Sequence, residues 1–235
     1  MPEVRFPTGT DELPGYLAVP TTSGPWAGVI VIMDALGLTK DIRNQADRLA
    51  AEGYLALAPD LYANGGRLRC ITATMRASRS GTGPAYDDID SARRFLAARE
   101  DCTGNVGIIG FCMGGGFALM CAFGGSFGAS AVNYGFVPDD IDERLASGET
   151  CPIVGSFGKR DLILRGHPRR LEAALTKAGV AHDIKEYDGV GHSFLNQFPV
   201  GPFAPMLRVT GFNYDATVAA DAWRRILGYF DSYLR

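Results

Sequence analysis

Histidine is scarce in this chain. Only His167, His182 and His192 occur, and none stands at a metal-ligand spacing from a cysteine, which argues against a zinc site. Cysteine is sparse and odd in number: Cys70, Cys102, Cys112, Cys121 and Cys151, with no Cys-x-x-Cys pair. That pattern excludes a disulfide framework and points to free thiols in a reducing compartment. Excess charge is missing as well. A formal net charge of −3 and the lack of a basic stripe leave no footprint for nucleic acid. The opening residues, MPEVRFPTGTDELPG, show no basic start followed by an apolar run, so no secretory signal is expected and the cytoplasm is the expected location. No charged residue stands between Cys102 and Pro138, yet the many glycines there suit the centre of a core rather than a membrane span.

What is present is the alternation of an α/β protein. The chain's 235 residues suit one domain with a sizeable core, and no repeat, linker or low-complexity segment divides it. Residues 3–6 and 13–20 read as a short antiparallel pair. Residues 27–33 (AGVIVIM) form a continuous apolar run of strand length, as expected of a strand covered on both faces. Residues 40–52 follow as an amphipathic helix with Gly53 at its C-terminus, and residues 54–58 as another buried strand. Residues 61–83 are basic and lack sustained periodicity; a stretch this long is expected to be functional or partly helical. Helices are expected at 85–99, 168–178 and 221–234, and strands at 129–134, 152–157 and 182–187. Strands and helices alternating at this spacing mean a mostly parallel sheet with helices on both faces.

The stretch Asn105 to Cys121 carries the chemistry. Val106, Ile108 and Ile109 read as a buried strand, and Phe117-Ala118-Leu119-Met120 as a helix. Between them lies Gly110-Phe111-Cys112-Met113-Gly114, a G-x-nucleophile-x-G elbow with cysteine at the position of the nucleophile. The glycines remove Cβ atoms that would clash at so sharp a corner, and the start of the following helix favours a thiolate. A free cysteine is more often a small buried hydrophobe, but the flanking pattern favours a nucleophile here.

Functional groups in such a sheet gather at the carboxyl ends of strands. Cys112, Asp161, His192 and Asp34 all follow predicted strands, and the order nucleophile, acid, histidine is that of the α/β-hydrolases. His192 is the expected base and Asp161 the group that orients it, although an aspartate in that position is also a common turn residue. His167 and His182 read as helix-start or surface residues, with His167 the weaker substitute base. Backbone N–H groups of Met113 and Ala35 are the expected oxyanion hole, each donor being worth about 3 kcal/mol.

These motifs resemble the dienelactone hydrolase family, cysteine-nucleophile members of the α/β-hydrolase fold. The resemblance runs through Met33-Asp34-Ala35-Leu36-Gly37-Leu38, Pro59-Asp60-Leu61-Tyr62, the Gly-Phe-Cys-Met-Gly-Gly elbow, the Asp161 turn and Gly191-His192-Ser193-Phe194. It implies an α/β-hydrolase fold, a Cys112–His192–Asp161 triad, a small ester or lactone as substrate, no metal or organic cofactor, and a monomer. It also implies a thiol-supporting carboxylate at Asp34, where the best-known members carry a glutamate. Those members hold a substrate carboxylate with two arginines. One position is Asn196 here, which has no charged fork to offer; the other falls among Arg67, Arg69 and Arg76. Arg69, Arg76, Tyr134 and Asn196 are therefore the candidate substrate contacts, with Tyr62 and Phe136 as possible pocket walls. A thiolate leaves more readily than an alkoxide, so forward reaction favours activated esters, enol lactones or thioesters. The alternative is a non-enzymatic thiol redox sensor or binding scaffold using a reactive Cys112, against which no nearby resolving cysteine is evident in the sequence.

Overall fold

A computed structural model describes residues 3–9, 11–63, 67–197 and 212–235, with only the backbone of 67–70. Eight strands make one sheet: β1 (Glu3–Thr8), β2 (Asp11–Ala18), β3 (Trp26–Ile32), β4 (Leu55–Pro59), β5 (Cys102–Phe111), β6 (Ser130–Asn133), β7 (Ile153–Gly158) and β8 (His182–Tyr187). Their order across the sheet is β1-β2-β4-β3-β5-β6-β7-β8, antiparallel at β1–β2 and β2–β4 and parallel elsewhere. The inner parallel strands are apolar on both sides because helices cover both, whereas the edge strand β8 (HDIKEY) is mostly polar and half-buried. Val29, Ile30, Val31 and Ile32 of β3 are fully buried, as are Ile108 and Ile109 of β5.

The helices are α1 (Lys40–Ala51), α2 (Arg67–Ser80), α3 (Pro84–Ala97), α4 (Met113–Cys121), α5 (Ile141–Ala146), α6 (His167–Ala178) and α7 (Ala216–Leu234). Contacts between α1 and α7 hold them on one face: Arg48 lies over the Trp223 ring at 5.0 Å. On the other face α3 meets α4 through Tyr86 and Phe117, with ring centroids 5.0 Å apart. The Thr39 hydroxyl caps α1 by accepting from the Ile42 amide, and Asp215 caps α7 by accepting from the Val218 amide at 2.9 Å.

Two elements differ from the sequence expectation. Helix α7 begins at Ala216 instead of 221, because Asp215 supplies the cap and Ala219 and Ala222 continue the buried face. Within 61–83, α2 is a regular helix whose inward residues are Thr74, Ala77 and Ser78. Small side chains let it lie close on α4: a Cβ on Gly116 would meet the Ser78 carbonyl oxygen at 3.1 Å. Ile71 is the one large apolar residue of that face among the described side chains, so its period does not stand out. Among the described residues no helix is long and apolar enough to cross a membrane.

Candidate active site

The corner between β5 and α4 holds Cys112 at φ 56°, ψ −113°. A non-glycine residue in this region stores about 1–3 kcal/mol, which the surroundings must over-determine. They do so through the backbone. The Cys112 amide donates to the Asn133 carbonyl at 3.1 Å, and the Cys112 carbonyl accepts from the Gly115 amide at 3.0 Å. A Cβ on Gly110 would run into the Gly114 backbone, so glycine there is a requirement of space. Cys112 is half-buried, while Gly114 to Met120 lie inside.

His192 follows β8, and its Nδ1 meets Asp161 Oδ2 at 2.6 Å. Both side chains are almost wholly buried, with 6% and 2% exposed. The other oxygen of Asp161 accepts from the Ile163 and Leu164 amides at 2.9 and 3.3 Å, which fixes the carboxylate in its turn. The Cys112 thiol is a near neighbour of the imidazole and favours its charged form. Burial opposes the charged imidazole, but the bond to Asp161 and the attraction of Cys112 and Asp161 prevail and raise its pKa to about 9. Asp161 and His192 thus form a buried hydrogen-bonded pair, with Cys112 beside the imidazole.

The Tyr134 ring packs against the imidazole at 5.2 Å and Phe212 does so at 5.1 Å. His167 is engaged elsewhere: its Nδ1 accepts from the Val137 amide at 3.0 Å, and burial lowers its pKa. It is the first residue of α6, as its reading as a helix-start residue anticipated.

Asp34 ends β3 and is buried. Its Oδ1 accepts from the Leu36 amide at 2.7 Å, closing a tight turn around Ala35. Ala35 and Met113 meet at one side chain: the Tyr62 hydroxyl donates to the Ala35 carbonyl at 3.3 Å and lies 3.8 Å from Met113 Sδ. The sequence marked Tyr62 only as a possible pocket wall. Its bond to Ala35 ties the two loops together.

The candidate substrate contacts separate. Tyr134 and Asn196 are buried, 1% and 0% exposed, with the Tyr134 hydroxyl donating to Asn196 Oδ1. Asn196 Nδ2 in turn donates to Asp41 Oδ2 at 2.6 Å, so its amide is taken up inside the protein. Burial pushes the Tyr134 hydroxyl pKa well up, with the charges of Cys112, Asp41 and Asp34 adding to it. Arg76 is exposed and lines a cavity of about 670 Å³ with Met75, Arg79 and Phe136. The Arg79 guanidinium stands 5.2 Å over the Phe136 ring. The side chains of Arg67 and Arg69 lie outside the described residues. So does that of Cys70; Cys102, Cys112, Cys121 and Cys151 are free thiols. Among the described residues no cluster of three or more His, Cys, Asp or Glu side chains stands ready to hold a metal.

The same fold occurs in known proteins, and residues 13–234 match the profile of the dienelactone hydrolase family. This chain belongs to that family. Membership makes it a hydrolase of the ester and lactone class. A carboxymethylenebutenolidase from Rhodococcus opacus is 29% identical over 238 residues, covering 96% of this chain and 88% of the relative. A dienelactone hydrolase-like promiscuous phosphotriesterase from metagenomic libraries shares the fold at TM-score 0.80 and 22% identity, covering 100% of this chain and 98% of the other. A dienelactone hydrolase from Anabaena variabilis has the same fold at TM-score 0.69 and 17% identity, with 100% and 98% covered. The α/β-hydrolase expectation therefore holds for this member of the dienelactone hydrolase family.

Proposed function

We propose that this chain hydrolyses activated carboxylic esters or enol lactones through a Cys112–His192–Asp161 triad and a thioester intermediate. The observation that carries this reading is the buried hydrogen bond between His192 and the Asp161 carboxylate, with the Cys112 thiol beside the imidazole. The Cys112 sulfur, with its proton held by His192, attacks the ester carbonyl carbon. The carbonyl oxygen takes the negative charge, and the N–H groups of Met113 and Ala35 face it as donors. The intermediate collapses by breaking the bond to the leaving oxygen, which His192 protonates, and a thioester remains. Water then gives its proton to His192 and attacks that thioester, releasing the acid and restoring the thiol.

Asp161 fixes the Nδ1–H tautomer and stabilises the charged imidazole throughout. Asp34 shapes the Ala35 turn and adds a negative charge close to the nucleophile. Arg76 is the described candidate for an anionic group of the substrate, since Asn196 has turned inward. A monomer in the cytoplasm accompanies this reading.

The test is hydrolysis of p-nitrophenyl acetate by the wild type and by C112A. The expected result is loss of turnover in C112A and an acyl adduct on Cys112, seen by mass spectrometry of the acid-quenched wild type. Undiminished turnover in C112A would end the reading.

A further inference from the structure

The triad leaves one feature of the interior unexplained: a carboxylate buried on a different element. Asp41 sits in the first turn of α1, 7% exposed, and accepts from three partners on the segment after His192 and on its own helix. Asn196 Nδ2 reaches its Oδ2 at 2.6 Å and the Gln197 amide its Oδ1 at 3.0 Å. Gln45 Nε2, one turn along α1, approaches both oxygens at 3.5 Å and donates to the Leu195 carbonyl at 3.2 Å. The start of α1 therefore grips residues 195–197, three to five positions beyond the imidazole.

Direction follows from the chemistry of the groups. An ionised carboxylate only accepts, so the amide NH₂ of Asn196 must point at Asp41. Its carbonyl oxygen then faces Tyr134 and takes the hydroxyl proton. The same hydroxyl oxygen accepts from the Leu195 amide. Nothing in this chain has a second way to arrange its protons, which gives the Tyr134 ring one position, 5.2 Å from His192.

His192 needs such a wall. Its bond to Asp161 runs through Nδ1 alone and leaves the ring free to turn about it. Ring contacts set the tilt. The backbone beside them is held against strain, with Tyr134 at φ 39° and Ser193 at φ 63°. Loss of the tether would let both relax.

We propose that Asp41 is a positioning residue for His192, acting through Asn196 and Tyr134. This rests on the triad proposed above. The side chain introduced by D41N has one acceptor oxygen where three donors arrive, two of them at hydrogen-bond distance on opposite oxygens, so its NH₂ confronts either Asn196 or Gln197. In D41N/N196D every bond can be remade: the new amide accepts from Gln197 and donates to the new carboxylate, which still accepts from Tyr134.

The experiment measures p-nitrophenyl acetate turnover per iodoacetamide-titratable thiol at the active site in the wild type, D41N, D41N/N196D and Y134F, and turnover per protein in C112A. D41N is expected to lower kcat about tenfold with KM within about twofold, as a remote misplacement does. D41N/N196D is expected to recover most of that loss. A purely structural role would lower the titratable fraction and the melting temperature but leave kcat per titrated thiol unchanged, and that outcome overturns the proposal. So does a folded D41N/N196D no faster than D41N. If D41N fails to fold, Y134F decides: it keeps the ring and removes the bond, and an unchanged kcat overturns the proposal. Activity that survives in C112A would instead overturn the triad itself, so the two failures are told apart.

Discussion

Gly114 and Met33 touch across the sheet: a Cβ on Gly114 would lie 2.6 Å from the Met33 carbonyl oxygen. The start of α4 thus abuts the end of β3, and this contact brings the nucleophile corner beside the Ala35 turn. G114A is expected to destabilise the fold by about 3 kcal/mol, since backbone has to move to make room. Urea unfolding measures this, and turnover should fall with it. A cost under about 0.5 kcal/mol, the usual range for a tolerated surface change, would mean that α4 can slide on β3 without harm.

His192 makes a pH prediction with a definite sign. Its bond to Asp161 and the attraction of Cys112 and Asp161 outweigh the burial cost and raise its pKa to about 9, from 6.5. A group whose pKa is raised on folding stabilises the folded state fully below its unfolded pKa, and that stability is lost as pH rises through the folded value. The wild type should therefore exceed H192Q in melting temperature by most near pH 6, with the gap shrinking between about pH 6.5 and 9. Calorimetry of both proteins across that range tests it. A gap that widened with pH would contradict the assignment of a charged imidazole.

Tyr62 joins the two loops that carry the proposed oxyanion donors. Y62F removes the bond to the Ala35 carbonyl while keeping the ring, at a net cost to stability of about 1 kcal/mol. If that bond aims the Ala35 amide, kcat for an activated ester falls several-fold and KM changes little. Steady-state kinetics on p-nitrophenyl acetate separate the two. A change in KM alone would make Tyr62 a wall of the substrate pocket instead.

The elbow was legible because its chemistry and its sterics write the same residues: Gly110 and Gly114 are needed by backbone contacts, and Cys112 by the proposed reaction. Strand ends then located Asp161 and His192, since apolar runs mark where parallel strands stop. Helix α2 was legible only as a partly helical stretch without bounds, because Thr74, Ala77 and Ser78 line its packing face beside half-buried Ile71, and small residues carry no hydrophobic period. Asp41 was hidden for a different reason. An acidic residue in the first turn of a helix is already explained by the helix dipole, so nothing local marks it as a partner of Asn196, 155 positions away. Buried polar pairs across such distances leave no pattern in one sequence, whereas the tight backbone corner does.

In the proposed mechanism the sulfur at Cys112 also decides which esters are expected to react. In the tetrahedral intermediate two groups compete to leave, and a thiolate departs more readily than an alkoxide. Ethyl esters should therefore return to reactants, while phenyl esters and enol lactones go forward to the thioester. Wild-type kcat/KM for phenyl acetate should exceed that for ethyl acetate by more than about a hundredfold, which is about 2.7 kcal/mol of barrier. C112S replaces the better leaving group by a poorer one, so its residual activity should show a much narrower ratio. Initial rates of acetate release from both esters by both proteins check this directly. Equal ratios in the two proteins would show that the partition is not set by the residue at 112, and that another step controls turnover.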